Sequence, residues 1–185
     1  MLVHPSRGTA DQGTFATWIR DMKATWHDRI QHAADVDPIK LRDEFRVTWT
    51  DLSSTFPDLV DFDSCWNALG FVLNNLDVTE VNTRVGQTPV IHWMPTKFYI
   101  LVGGQAIDRG FTVEGLTVTY MPCGAGMSMA DTIQQRARFF GYKARYLGLC
   151  RVFLEPDVRD AFVNYVHHER DMIQSLRAIQ DGSDT

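Results

Sequence analysis

Apolar positions recur along this chain in two rhythms: spacings of three and four, and short near-continuous runs. The first rhythm predicts helices. Phe15, Trp18, Ile19, Met22, Trp26 and Ile30 form one apolar stripe, so Thr14 opens a helix after a polar loop from Ser6 to Gly13. Asp37 followed by Pro38 suits the cap and first turn of a second helix, reaching about Leu52. Beyond the break at Pro57, Asp63 or Ser64 caps a third, with Trp66, Leu69 and Leu73 inward. Ser128 or Met129 opens a fourth, to about Phe140. Pro156 begins the last, with Val158, Phe162, Tyr165, Val166, Met172, Ile173 and Leu176 inward.

The second rhythm predicts strands at Met1 to Pro5, Val78 to Arg84, Phe98 to Val102, Leu116 to Met121 and Leu149 to Leu154. Phe98 to Val102 is all apolar, as in a strand buried on both faces. Strands and helices mixed in this way predict an α/β fold, a three-layer sandwich with a mostly parallel sheet. The 185 residues suffice for one domain with a real core, set at 1–179, with 180–185 a disordered tail. The chain opens in mid-strand, which predicts further sequence before Met1.

Charge and cysteine content narrow the classes. A net charge of -5 argues against a surface that attracts nucleic acid everywhere. A local basic strip exists nonetheless: Arg136, Arg138, Lys143, Arg145 and Arg151, with no Asp or Glu between them. No apolar run is long enough to cross a membrane, and MLVHPSRGT lacks the basic leader and apolar stretch of a signal peptide. Cys65, Cys123 and Cys150 are odd in number and widely spaced. They argue against a zinc site or disulfide framework, so a reducing cytoplasm is the expected location.

The chemistry-bearing residues concentrate between Phe98 and Tyr142. Gly103-Gly104-Gln105 follows a buried strand, where glycine lets backbone amides approach a phosphate; a tight turn is the other reading. Asp108-Arg109-Gly110 and Glu114-Gly115 follow, as a ligand cluster or as an internal ion pair with turn glycines. Gln134, Gln135, Arg136 and Arg138 share a helix. Positions 134 and 138 lie on one face, and the neighbouring Phe139, Phe140 and Tyr142 indicate burial beside the arginines. Arg suits phosphate because its planar fork donates two parallel hydrogen bonds. By contrast, Asp58, Asp61 and Asp63 read as helix-start chemistry rather than a metal cluster. His167 and His168, as helix neighbours, face apart and make a poor metal pair. The four lysines, Lys23, Lys40, Lys97 and Lys143, stand in no GxxxxGK[ST] loop, so the chain has no Walker phosphate cradle.

LVGGQAIDRGFTVEGLTVTY followed by DTIQQRARFFGYK resembles the Z-one (Z1) domain of proteins classed as endonucleases, found in bacterial restriction and phage-defence systems. The family pattern reads GG-x-x-x-x-RG-x-T-x-EGL, then DT-x-x-Q-x-x-RWFGYR, and MLVHPS resembles its opening strand. That domain in turn resembles the C-terminal RecA-like lobe of superfamily II helicases. The resemblance implies that Leu2 to Ser6, Gly103 to Gly115 and Gln134 to Lys143 stand for helicase motifs IV, V and VI. It implies Arg138 as an arginine finger and Gln134, Gln135, Asp108, Arg109, Gly110 and Glu114 as support for an ATP site. His4, Ser6, Gly103, Gly104 and Gln105 would meet a nucleic-acid backbone. A second finger is expected where this chain has Gly141; Lys143 and Arg145 are the nearest cations. Phe139 replaces the family's Trp, and Ala137 the helicase Gly.

The expectation is therefore a motor lobe of a helicase-like ATPase. Its partners would be an N-terminal RecA-like lobe that supplies the Walker lysine, ATP and Mg²⁺, DNA or RNA, and other defence-system proteins, with no membrane. A metal-dependent endonuclease domain and a non-catalytic interaction scaffold are the alternatives.

Overall fold

The first residues of the chain form the middle of the sheet. The computed structural model describes residues 1–5, 8–32, 38–81, 91, 93, 98–104, 113, 115–122 and 143–183. In order, the described elements are β1 (Leu2–Val3), α1 (Thr9–Gln31), α2 (Pro38–Thr55), α3 (Phe62–Asn74), β2 (Leu76–Val81), β3 (Phe98–Gly103) and β4 (Val118–Met121). A 3₁₀ turn (Leu147–Leu149), β5 (Arg151–Leu154) and α4 (Pro156–Ser183) complete them. The five strands run parallel in the order β2-β3-β1-β4-β5. This is the α/β fold that the pattern predicts, consistent with a three-layer sandwich.

Alternation along β1 divides the core between the two faces. Leu2 joins Val81, Leu101 and Leu116 on one side. Val3 joins Val78, Val102 and Ala16 of α1 on the other. Leu101 and Val102 are thus buried on opposite faces, as the apolar run of β3 predicts.

Helix α1 begins at Thr9, earlier than the apolar stripe predicts, with Gly8 as its N-cap. Of that stripe, Phe15 and Ile19 pack against the core and Trp26 against α2, but the covered face extends beyond it. Gln12 and Ala16 are buried, whereas Trp18 and Met22 are exposed. Small Ala16 lets the helix sit close to Val3 and Val102. One turn on, Lys23 Nζ donates to Leu76 O at 2.6 Å, and Arg20 Nη2 donates to Val78 O at 3.0 Å. These carbonyls are two residues apart and so lie on one side of β2. Cations laid along an edge strand discourage its pairing with another chain.

An aromatic cluster binds α1, α2 and α3 together. Trp26 meets Phe45 at 5.1 Å between ring centroids, Phe45 meets Trp66 at 5.9 Å, and Trp49 meets Phe62 at 6.2 Å. Arg46 lies 4.0 Å above the Phe62 ring. Asp61 caps α3, rather than Asp63 or Ser64. Its carboxylate accepts from Ser64 N at 2.9 Å and Ser64 Oγ at 2.7 Å. Asp63 pairs with Arg42 at 2.7 Å. Asp61 is thus a helix-start residue, as read from the sequence, and Asp63 an ion-pair residue.

Three boundaries differ from expectation. β2 starts at Leu76, directly after α3, and β5 starts at Arg151, because Leu147–Leu149 forms a 3₁₀ turn. α4 runs to Ser183, through the segment expected as a tail. Met172, Ile173 and Leu176 of α4 are exposed, not inward. The expected Asp37 cap and the helix from Ser128 to Phe140 lie outside the described residues.

Candidate functional site

Strand order decides where a ligand would sit. From β1 the chain crosses two places along the sheet to β2, whereas from β3 and β4, the two neighbours of β1, it proceeds the other way. Right-handed crossovers place such connections on opposite faces. The crevice beyond the carboxyl ends of β1, β3 and β4 is therefore a topological switch point, the usual ligand position in open parallel sheets.

Three of the expected residues meet there. Val3 pairs with Val102 and Tyr120, and His4 N continues the ladder to Tyr120 O at 2.8 Å. The same register sets His4 level with Gly103 and Met121. Gly104 follows at once. His4, Gly103 and Gly104 are all buried, so the imidazole belongs to the packing rather than to the surface. Gly115, in the turn before β4, has φ of 72°, the left-handed region that glycine tolerates at little cost. That is the physical reason for a glycine after Glu114.

Lys143 is placed elsewhere. Its side chain is buried, and Nζ donates to the Leu116 carbonyl, two residues before β4 begins. Its charge also bears on the Met1 amine, at the foot of β1. The Leu116 carbonyl and the Met1 amine both lie at the amino edge of the sheet. The four residues of β4 put that edge about 13 Å from the carboxyl edge. Burial holds the Lys143 ammonium below the ordinary lysine range. The expectation that Lys143 supplies a second cation to the crevice thus meets a side chain committed to structure. Arg145 follows in an exposed turn.

Arg151 is likewise structural. It donates to the Asp51 carboxylate at 2.6 Å, to Asp51 O and Thr55 Oγ1 at 2.9 Å each, and to Gly148 O and Cys150 O at 3.0 and 2.9 Å. Of the described residues of the basic strip, Lys143 and Arg151 thus direct their charges into structural contacts. Arg138, Gln134, Gln135, Arg136, Asp108, Arg109, Gly110, Glu114, Gln105 and Ser6 lie outside the described residues.

Sequence reasoning missed Lys23, Arg20 and the Arg151 clamp. Lys23 and Arg20 reach backbone carbonyls more than fifty residues away and Arg151 reaches Asp51 a hundred residues away, contacts that leave no mark in spacing. Asp61 was legible as helix-start chemistry, but the cap itself was placed at Asp63 or Ser64; Asp is a favoured N-cap residue and was the available signal. Among the described residues, no three of His, Cys, Asp and Glu form a group that could hold a metal ion. No helix among them is long and apolar enough to cross a membrane.

No curated protein and no solved structure shows significant similarity to this chain. A family match covers residues 1–185, and on that match the chain belongs to the Z1 domain family.

Proposed function

We propose that this domain is the C-terminal motor lobe of a helicase-like ATPase acting on nucleic acid. The observation that supports this best is the parallel sheet whose switch point gathers the ends of β1, β3 and β4, with Gly103 and Gly104 leading into the Asp108-Arg109-Gly110 segment. ATP and Mg²⁺ would be held chiefly by a second lobe, since this chain has no Walker loop. Arg138 would reach across and stabilise charge on the transferring phosphoryl group. Such fingers contribute about 10³–10⁵ in rate, or roughly 4–7 kcal/mol. Glycine amides near the switch point would hold a DNA or RNA phosphate, which carries no sequence information. Lys143 would take no part in this reading, since its ammonium donates to the Leu116 carbonyl.

The test uses the longer protein that carries both lobes. Arg138→Ala should abolish ATP hydrolysis while ATP binding survives. Full turnover by that variant sinks the finger assignment. The 185-residue chain alone should show no magnesium-dependent ATP turnover, and measurable turnover would contradict the two-lobe reading. Cleavage of DNA by the isolated chain with Mg²⁺ or Mn²⁺ would move the assignment to an endonuclease.

A further inference from the structure

Helix α4 is covered near its start and exposed over its second half. Its 28 residues span about 42 Å. Near the start its apolar stripe is covered: Val158 is buried and Phe162 and Tyr165 are half-buried. From Arg170 to Gln180 every residue is exposed. The stripe nonetheless continues. Val166 is 40 % exposed, Met172 53 %, Ile173 42 %, Leu176 62 % and Ile179 69 %. An isolated helical stretch of this length is marginal in water, and its stability normally comes from a covered apolar face.

We propose that this half of α4 pairs antiparallel with α4 of a second copy of the chain. Three features favour that occupant. The first is spacing: Phe162, Glu169 and Leu176 repeat every seven residues, with Tyr165, Met172 and Ile179 three places on and Val166 and Ile173 beside them. That is the seam of a two-helix coil. The second is area. Two such stripes together remove roughly 1,000 Å² from water, the lower limit for a specific interface.

The third feature is charge, which also sets the direction. Glu169 is the one charged residue within the seam. A parallel, in-register pair would set Glu169 against itself, which is repulsive. An antiparallel pair that seats Met172 against the partner's Leu176 brings Glu169 within a turn of the partner's Arg177. The pair is isologous, so this contact forms twice. The arrangement is independent of the ATPase reading.

Sedimentation equilibrium of the 185-residue chain, from low to several hundred micromolar, is the test. A monomer–dimer equilibrium is expected. Ile173→Glu and Leu176→Glu should each weaken it at least tenfold, while Ile39→Glu, at an exposed apolar position on α2, should leave it unchanged. Glu169→Arg and Arg177→Glu should each weaken it, and the double exchange should restore it. All these positions are exposed or half-buried, and far-ultraviolet circular dichroism checks that the body stays folded. A monomer throughout the range overturns the proposal. So does a dimer indifferent to the Ile173 and Leu176 variants, or a double exchange no better than the singles. The last two outcomes assign the stripe to a different protein or a different face.

Discussion

Arg151 and Asp51, a hundred residues apart, fasten the C-terminal end of α2 to the first residue of β5. Nε meets the Asp51 carboxylate at 2.6 Å, while Nη2 meets the Asp51 carbonyl at 2.9 Å. The two contacts differ in weight. The Asp51 side chain is exposed, so the ion pair is worth little. The guanidinium also donates to the carbonyls of Asp51, Gly148 and Cys150 and to Thr55 Oγ1, so its removal takes away five hydrogen bonds at a half-buried joint. Arg151→Ala should therefore cost about 2–3 kcal/mol in chemical denaturation, and Asp51→Ala less than about 1 kcal/mol. Arg151→Lys should recover little, because an ammonium cannot reproduce the fork. Equal costs for the Arg151 and Asp51 variants would show that the ion pair dominates.

The same joint explains Gly148. A Cβ there would stand 2.2 Å from the Thr55 carbonyl oxygen and 3.0 Å from its carbon, both backbone atoms that cannot step aside. Gly148→Ala should destabilise by about 1–3 kcal/mol through overpacking. Gly70, inside α3, is the contrast. Its nearest neighbour would be the Gln31 side chain at 3.4 Å. Gly70→Ala should stabilise by up to about 1 kcal/mol, since alanine is the better helix former. Thermal midpoints of the two variants should move in opposite directions, and a shared sign would contradict this account.

Asp61 links the start of α3 to acid stability. Its hydrogen bonds from Ser64, side chain first and backbone second, hold its carboxyl below the usual aspartate value of 3.8. A depressed folded pKa contributes stability that is present above 3.8 and is lost as pH falls through the folded value. Asp61→Asn keeps a capping oxygen but does not titrate. The variant should lack that acid-dependent component and should lose less stability than Asp61→Ala at neutral pH. Parallel acid profiles for wild type and Asp61→Asn would rule out the linkage.

Much of the fold was legible because burial leaves a periodic trace. The apolar run at Phe98 to Val102 marks β3, and Leu2 and Val3 mark a strand. The face of α1 was legible in part: Phe15 and Ile19 pack on the core, whereas Trp18 and Met22 do not. Close approach to the sheet selects small Ala16 and admits buried Gln12, while large apolar Trp18 stays outside. Periodicity counts hydrophobic residues and cannot see that a helix may approach on its smallest side chains. The crevice was legible only in part. Glycines after a strand signal a strand end, and Gly103 is one, but the meeting of His4 with Gly103 depends on strand order. Two members of the basic strip, Lys143 and Arg151, hold backbone carbonyls, a role that one-dimensional proximity does not show.

Lys143 offers the sharpest separation of structure from chemistry. Burial lowers its pKa from 10.5, so the folded state releases the proton before the unfolded chain does. At neutral pH the fold carries the cost of a buried ammonium, offset by the hydrogen bond to the Leu116 carbonyl. As pH rises from the folded pKa toward 10.5, the unfolded state binds more protons than the folded one, and stability contributed by this site increases. Lys143→Met keeps the apolar stem and removes the titration. The difference in unfolding free energy between wild type and variant should thus move in favour of wild type with rising alkalinity, and level off above 10.5. Because the ammonium lies at the amino edge, ATP turnover by the longer protein should survive Lys143→Met while Arg138→Ala abolishes it. Loss of turnover in a stably folded Lys143→Met protein would return this lysine to the catalytic crevice and contradict its placement.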